Sequence, residues 1–275
     1  MIIDAHCHIF SSRVHTARQE YCDDSGFSLL YGGGKGKIGT AETIHAYMEQ
    51  QEIDYAWGMG FCWDGINRCE QENELILEEC SRFNRITPFM GVPAKKTPDI
   101  RHYIRSWRKN GYKGIGEISF YRDGLTEENA LYLREIFAAA AEENLPVCLH
   151  LNEPVGHLYP GKYTSDFGII YTIIKDFPSV KTILAHFGGG ILFYELMPEV
   201  KEAFKNVWYD TAAAPFIYDV PVYARAAAVA GSEKIIFGSD YPLLGLNRYE
   251  DGIRAYLDAD EAEKILGLNA AGITA

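Results

Sequence analysis

His6 and His8 stand two residues apart in the opening MIIDAHCHIF, and the two-residue period of a strand would aim both imidazoles to one side. Two neutral imidazoles pointing together suit a divalent metal. An H-x-H pair also arises by chance, so the company it keeps decides its weight. His150 stands at the end of the β-rich run PVCLHL, one residue before its last, His186 ends VKTILAH, and Asp240 ends KIIFGSD, each where a connection begins. Donors of this kind gathered at strand ends could hold an ion that activates water or polarises a carbonyl. His15, His45 and His102 fall in a loop or on helical segments and read as surface residues.

Positioning these groups takes a scaffold that brings distant strand ends together. Eight β-rich runs occur, at 1–8, 53–62, 86–93, 113–119, 146–151, 180–186, 206–210 and 234–240. Segments of helical period lie between them, at 41–52, 71–84, 97–110 and 126–143. In the last, Thr126 predicts the N-cap, Glu127 and Glu128 suit the helix N-terminus, and Leu133, Ile136, Phe137 and Ala140 share a face. Residues 164–177 repeat the pattern, and Pro178 closes that helix. Alternating elements imply parallel strands with helical crossovers. Eight strands in 275 residues predict an α/β fold, one (β/α)8 barrel over residues 1–275 with extended loops after its strands. In a barrel all strand ends share one rim, so the long connections 9–40, 152–163 and 241–247 belong to the site face. The first contains YGGGKGK at 31–37, which fails the P-loop pattern because Leu29 and Tyr31 stand where glycine is needed; it reads as a lid.

Composition narrows the partners. With 38 acidic and 26 basic side chains the formal charge is −12, which disfavours nucleic acid and anionic membranes. No stretch has the roughly 18 uncharged apolar residues of a membrane helix, and the apolar first residues lack the basic flank of a signal peptide. A cytoplasmic protein acting on a small molecule is expected, with a homodimer as the default assembly. The six cysteines show no C-x-x-C and read as reduced thiols.

Together the strand-end motifs resemble the amidohydrolase superfamily of metal-dependent barrels, in particular the amidohydrolase-2 branch of hydrolases, lactonases and carboxylic-acid decarboxylases. The matching pieces are DAHCH at 4–8, KGIGEI at 113–118, His150 with EPVGHLYPGK at 153–162, AHFGG at 185–189, IFGSDYP at 236–242 and ILGLNA at 265–270. The resemblance implies His6, His8 and His150 as metal ligands, His186 as ligand or proton shuttle, and Asp240 as ligand and base. The fourth strand departs from the binuclear pattern: the carboxylated lysine of many relatives is missing, and Glu117 stands near the strand end instead. Glu117 is either a ligand, allowing a second ion, or a carboxylate that holds a ligand imidazole. Zinc is the default ion for this donor set, although Mn²⁺, Fe²⁺ or Ni²⁺ would accept it.

The expected reaction is hydrolysis of an ester, lactone or amide by metal-activated water, with Asp240 taking the proton. The alternative is decarboxylation of a small aromatic or unsaturated acid, which an arginine held at the pocket would favour; Arg122, Arg225 and Arg248 are the candidates. A barrel with a vestigial site is the further alternative. His157, Tyr159 and Lys162, in the loop after the fifth strand, are the expected substrate-binding residues. Gly188, Gly189 and Gly190 offer backbone amides for an anion.

Overall fold

The computed structural model describes residues 1–274. Its strands are β1 (Ile3–His8), β2 (Tyr55–Met59), β3 (Ile86–Met90), β4 (Gly114–Ile118), β5 (Val147–Leu149), β6 (Thr182–Leu184), β7 (Val207–Asp210) and β8 (Ile235–Ile236). They form one sheet in sequence order, every neighbouring pair parallel. The ring closes where Ala5 N–H donates to Phe237 O (2.8 Å) and Asp240 N–H donates to His6 O (3.0 Å). Helices alternate with the strands, giving the (β/α)8 barrel expected from the sequence.

Local sequence explains the helices. Thr126 caps Glu127–Glu143 by accepting from Asn129 N–H, and Asp166 caps Phe167–Asp176 through Ile169 N–H. The apolar stripe of Glu127–Glu143, including Leu133, Ile136, Phe137 and Ala140, is buried. Inside the barrel, Trp57 stacks on Phe89 with ring centroids 5.0 Å apart. Gly114 makes room for this pair, since a Cβ there would lie 2.2 Å from the Phe89 ring.

Two strands are irregular where they carry site residues. β1 takes three steps, Asp4 to Cys7, against two on β2, and β4 takes three, Ile115 to Ile118, against two on β5. Such bulges re-aim a side chain, and here they span His6 and Glu117. The 9–40 connection is not a bare loop: it contains helices Ser12–Thr16 and Ser25–Tyr31 and a 3-10 turn at Arg18–Tyr21. Among the described residues no helix is long and apolar enough to cross a membrane.

Asp4 ties the first strand to the last. Its carboxylate accepts from His6 N–H (3.2 Å), Ser239 N–H (2.9 Å) and the Tyr47 hydroxyl (2.9 Å), while Tyr47 accepts from Leu246 N–H. Burial pushes the Asp4 carboxyl above its ordinary range despite these donors. Asp4→Ala would leave buried donors unpaired, at a cost of about 1–3 kcal/mol for each. We expect a lowered thermal unfolding midpoint by circular dichroism with the secondary structure retained.

Candidate metal centre

Six of the side chains singled out by the sequence meet at the C-terminal mouth of the barrel. His6 and His8 come from β1, Glu117 from β4, and His150, His186 and Asp240 from the connections after β5, β6 and β8. They fall into two triads, His6–His8–Asp240 and Glu117–His150–His186, in each of which the ligand atoms lie within 4.8 Å of one another. Glu117 links the two. Its Oε1 is 2.9 Å from His150 Nδ1, 3.4 Å from His186 Nε2 and 3.7 Å from His6 Nε2, and its Oε2 is 3.9 Å from His8 Nε2. In the first triad, Asp240 Oδ1 is 2.9 Å from His8 Nε2 and 3.7 Å from His6 Nε2.

Two of the imidazoles, His6 and His186, are aimed by contacts outside the cluster. His6 Nδ1 lies 2.8 Å from Asp210 Oδ2, which fixes the proton on Nδ1 and turns the Nε2 lone pair into the site. The other Asp210 oxygen accepts from His186 N–H (2.8 Å) and Ala212 N–H (3.0 Å). His186 Nδ1 is 2.9 Å from Ala212 O, directing Nε2 inward. His186 and Asp240 adopt left-handed backbone, with φ of 59° and 63°. Non-glycine residues take that conformation only where the surroundings enforce it, which is common at functional sites.

The site passes a chemical test for a bound cation. His6 Nε2, His150 Nε2 and Asp240 Oδ1 are buried with no hydrogen-bond partner, the 2.9 Å approach of His8 to Asp240 notwithstanding. Buried polar atoms are normally paired, and a divalent ion bound by His6 Nε2 and Asp240 Oδ1, which lie 3.7 Å apart, would satisfy both. Cys148 also approaches His6 and Asp210, but burial pushes its thiol up to about 12, so the thiolate a metal would need is disfavoured.

Electrostatics supports the same arrangement. Burial alone would raise the Glu117 carboxyl, yet His150 and His6 outweigh it and hold the group well below its usual range. Asp240, also buried, is held down by His8, His6 and His186. Burial opposes protonation of His186, but Glu117 overrides this and lifts it to about 9; Asp210 and Glu117 likewise raise His6.

The connection after β5 behaves differently from expectation. His157 is exposed. Lys162 Nζ donates to Glu153 Oε1 (2.8 Å) and to the carbonyls of Val155 and His157, and Tyr159 donates to Glu153 Oε2 (3.1 Å). These residues shape their own loop. The loop reaches the cluster through Tyr163, whose hydroxyl donates to His150 O (2.9 Å). The amides of Gly189 and Gly190 bond to His186 O and Phe187 O, so neither is free to cradle an anion. Arg122, Arg225 and Arg248 are all exposed. Asp210 was missed in the sequence although it ends the seventh run, NVWYD, as Asp240 ends the eighth.

A family model described as Amidohydrolase matches residues 3–273. No curated protein matches the chain in sequence. Similar solved structures include the 5-carboxyvanillate decarboxylase of Sphingomonas paucimobilis, at 16% identity and a TM-score of 0.76, covering 99% of this chain and 98% of that one. The 5-carboxyvanillate decarboxylase of Novosphingobium aromaticivorans, complexed with manganese and 4-hydroxy-3-methoxy-5-nitrobenzoic acid, gives 15% and 0.73, covering 100% and 96%. A 2,6-dihydroxybenzoate decarboxylase from Rhizobium gives 15% and 0.71, covering 99% and 98%. At these identities the likeness concerns the fold.

The raised imidazoles make a pH prediction. The folded-state value of His186, about 9, lies above its ordinary 6.5, so its proton stabilises the metal-free chain at neutral pH and that contribution is lost as pH rises through about 9. A metal held by His6 must displace the proton that Asp210 and Glu117 favour on that ring against its burial. Calorimetric titration of the metal-free protein with Mn²⁺ or Zn²⁺ near neutral pH, in buffers of different ionisation enthalpy, should show net proton release and an affinity that climbs with pH.

Proposed function

The chain belongs to the amidohydrolase family, and we propose that within it the protein is a metal-dependent decarboxylase of a small aromatic or unsaturated carboxylic acid. The observation that carries a metal-dependent reaction is the pair of buried, partnerless atoms His6 Nε2 and Asp240 Oδ1, 3.7 Å apart. Support for decarboxylation comes from whole-chain similarity to barrels whose known substrates are aromatic acids. His6, His8 and Asp240 would hold one divalent ion, and Glu117 with His150 would face it from the other triad, where a second ion could bind. Zinc and manganese both suit imidazole and carboxylate donors.

A divalent ion bound there supplies Lewis acidity for a substrate carboxylate or its neighbouring hydroxyl. The chain's own groups do the rest. Asp210 keeps His6 oriented, and Glu117 keeps a proton on His186 Nε2. His186 then donates that proton to the carbon that loses CO₂, as the electron pair of the breaking carbon–carbon bond returns to that carbon. Asp240, held ionised, is a poor acid and serves as ligand.

Hydrolysis of an ester, lactone or amide keeps one specific support: the ionised Asp240 beside His8 is placed to take a proton from bound water. A substrate panel separates the two. Hydroxybenzoates incubated with the metal-loaded protein should release CO₂, and His186→Asn should lower that rate about 10²–10⁴-fold with metal content unchanged. Acid release from lactones or amides without CO₂ from any hydroxybenzoate would replace this reading with hydrolysis.

A further inference from the structure

The connection after β6 turns an acid inward and its apolar neighbours outward. Beyond the glycines that follow His186, the chain forms a 3-10 helix over Ile191–Leu196, capped by Met197. Side chains three apart eclipse in such a helix, so Leu192 and Glu195 share one edge, Phe193 and Leu196 a second, and Tyr194 and Met197 a third. The first edge is buried. Phe193, Tyr194, Leu196 and Met197 are 48%, 51%, 70% and 43% exposed.

Glu195 fixes that orientation. Its carboxylate accepts from Lys234 Nζ (2.6 Å) and from the hydroxyl of Tyr209 on β7 (2.6 Å), and Lys234 Nζ also donates to Phe204 O (2.8 Å). Buried charges are costly unless paired, and rotating the helix to cover its apolar edges would break this pairing. The Tyr194 ring is held as well, edge-on to Phe167 with centroids 6.4 Å apart.

Four side chains exposed to this degree leave roughly 100 Å² each open to water, about 400 Å² together, which is the size of apolar patch that marks contact sites on a monomer. That is about half of the roughly 800 Å² each partner contributes to a standard interface, a share that suits an apolar core within a polar rim. The same connection supplies the rim. Its exposed charges are Glu199, Lys201, Glu202 and Lys205, two acids and two bases, neutral on a chain of formal charge −12. A surface that carries both signs side by side complements itself across a two-fold axis, whereas the acidic remainder of the chain repels its own copy. It offers a basic protein no excess of acid, and an anionic membrane no excess of base.

We propose that Phe193–Met197, rimmed by Glu199–Lys205, is the interface through which two copies of this chain form a two-fold dimer. The association is independent of the reaction assigned above.

Sedimentation velocity of the metal-loaded full chain, from about 1 to 100 μM, tests it. Wild type should sediment as a dimer over most of that range. Leu196→Glu and Tyr194→Glu each bring two like charges into the contact, and each should raise the dissociation constant about 100-fold or more. Leu131→Glu changes an equally bare apolar residue, 59% exposed on the helix Glu127–Glu143, and should leave the dimer intact. Circular dichroism checks folding, and if either glutamate variant does not fold, the double variant Phe193→Ser/Leu196→Ser makes the same comparison. A wild type that stays monomeric throughout, or a dimer that none of the interface variants weakens, overturns the proposal. So does a monomer that instead floats with phosphatidylserine vesicles and loses that binding in Leu196→Glu.

Discussion

Glu117 is a buried carboxylate with four imidazoles within 4 Å, from His150, His186, His6 and His8. A charge in that position is expensive unless it is paired. Pairing it requires strand ends that are far apart in sequence to be neighbours in space, which is what a closed parallel barrel provides. β4 is irregular against β5 across Glu117, and β1 against β2 across His6, so each strand departs from its regular pairing where it carries a partner of this contact.

Around that contact the chain has placed a ring of carboxylates that bind no substrate in this account. Asp210 holds His6 through a side-chain bond and His186 through a backbone one, so a single residue at the end of β7 orients a donor in each triad. Asp4 joins the backbone of β1 to Ser239, the residue before Asp240. The left-handed backbone at His186 and Asp240 is maintained by these same anchors. Among the described residues four buried side-chain polar atoms lack a hydrogen-bond partner, on His6, Tyr132, His150 and Asp240, and two of them, His6 Nε2 and Asp240 Oδ1, face each other at 3.7 Å. Such a pair at the meeting point of the strand ends suits a bound cation.

Much of this was legible in the sequence because barrel topology turns order into position. His6, His8, His150, His186 and Asp240 each stand at or near the end of a β-rich run, and any parallel barrel must bring such residues to one rim. The two-residue period placed His6 and His8 together, although β1 reaches that result through a bulge no periodicity displays. Residues inside loops were less readable. Lys162 and His157 follow a ligand candidate in sequence, but Lys162 turns back to Glu153 and His157 turns to solvent, since a loop side chain's direction depends on local hydrogen bonds. Gly189 and Gly190 looked like an anion cradle, but their amides close the tight turn after His186. Tyr121 carried no motif, yet its hydroxyl stands 3.4 Å from Glu117 Oε2, and a Cβ on Gly161 in the connection after β5 would lie 3.3 Å from its ring.

The central claim is that these donors hold a divalent ion, and metal stoichiometry tests it most directly. Wild-type protein and a His6→Ala/Asp240→Ala variant would be stripped, reconstituted with Mn²⁺ or Zn²⁺, dialysed and measured by elemental analysis, with circular dichroism to confirm folding. At least about one ion retained per wild-type chain, and little or none by the folded variant, is the predicted result. A folded wild-type chain that keeps neither ion after reconstitution would contradict the account.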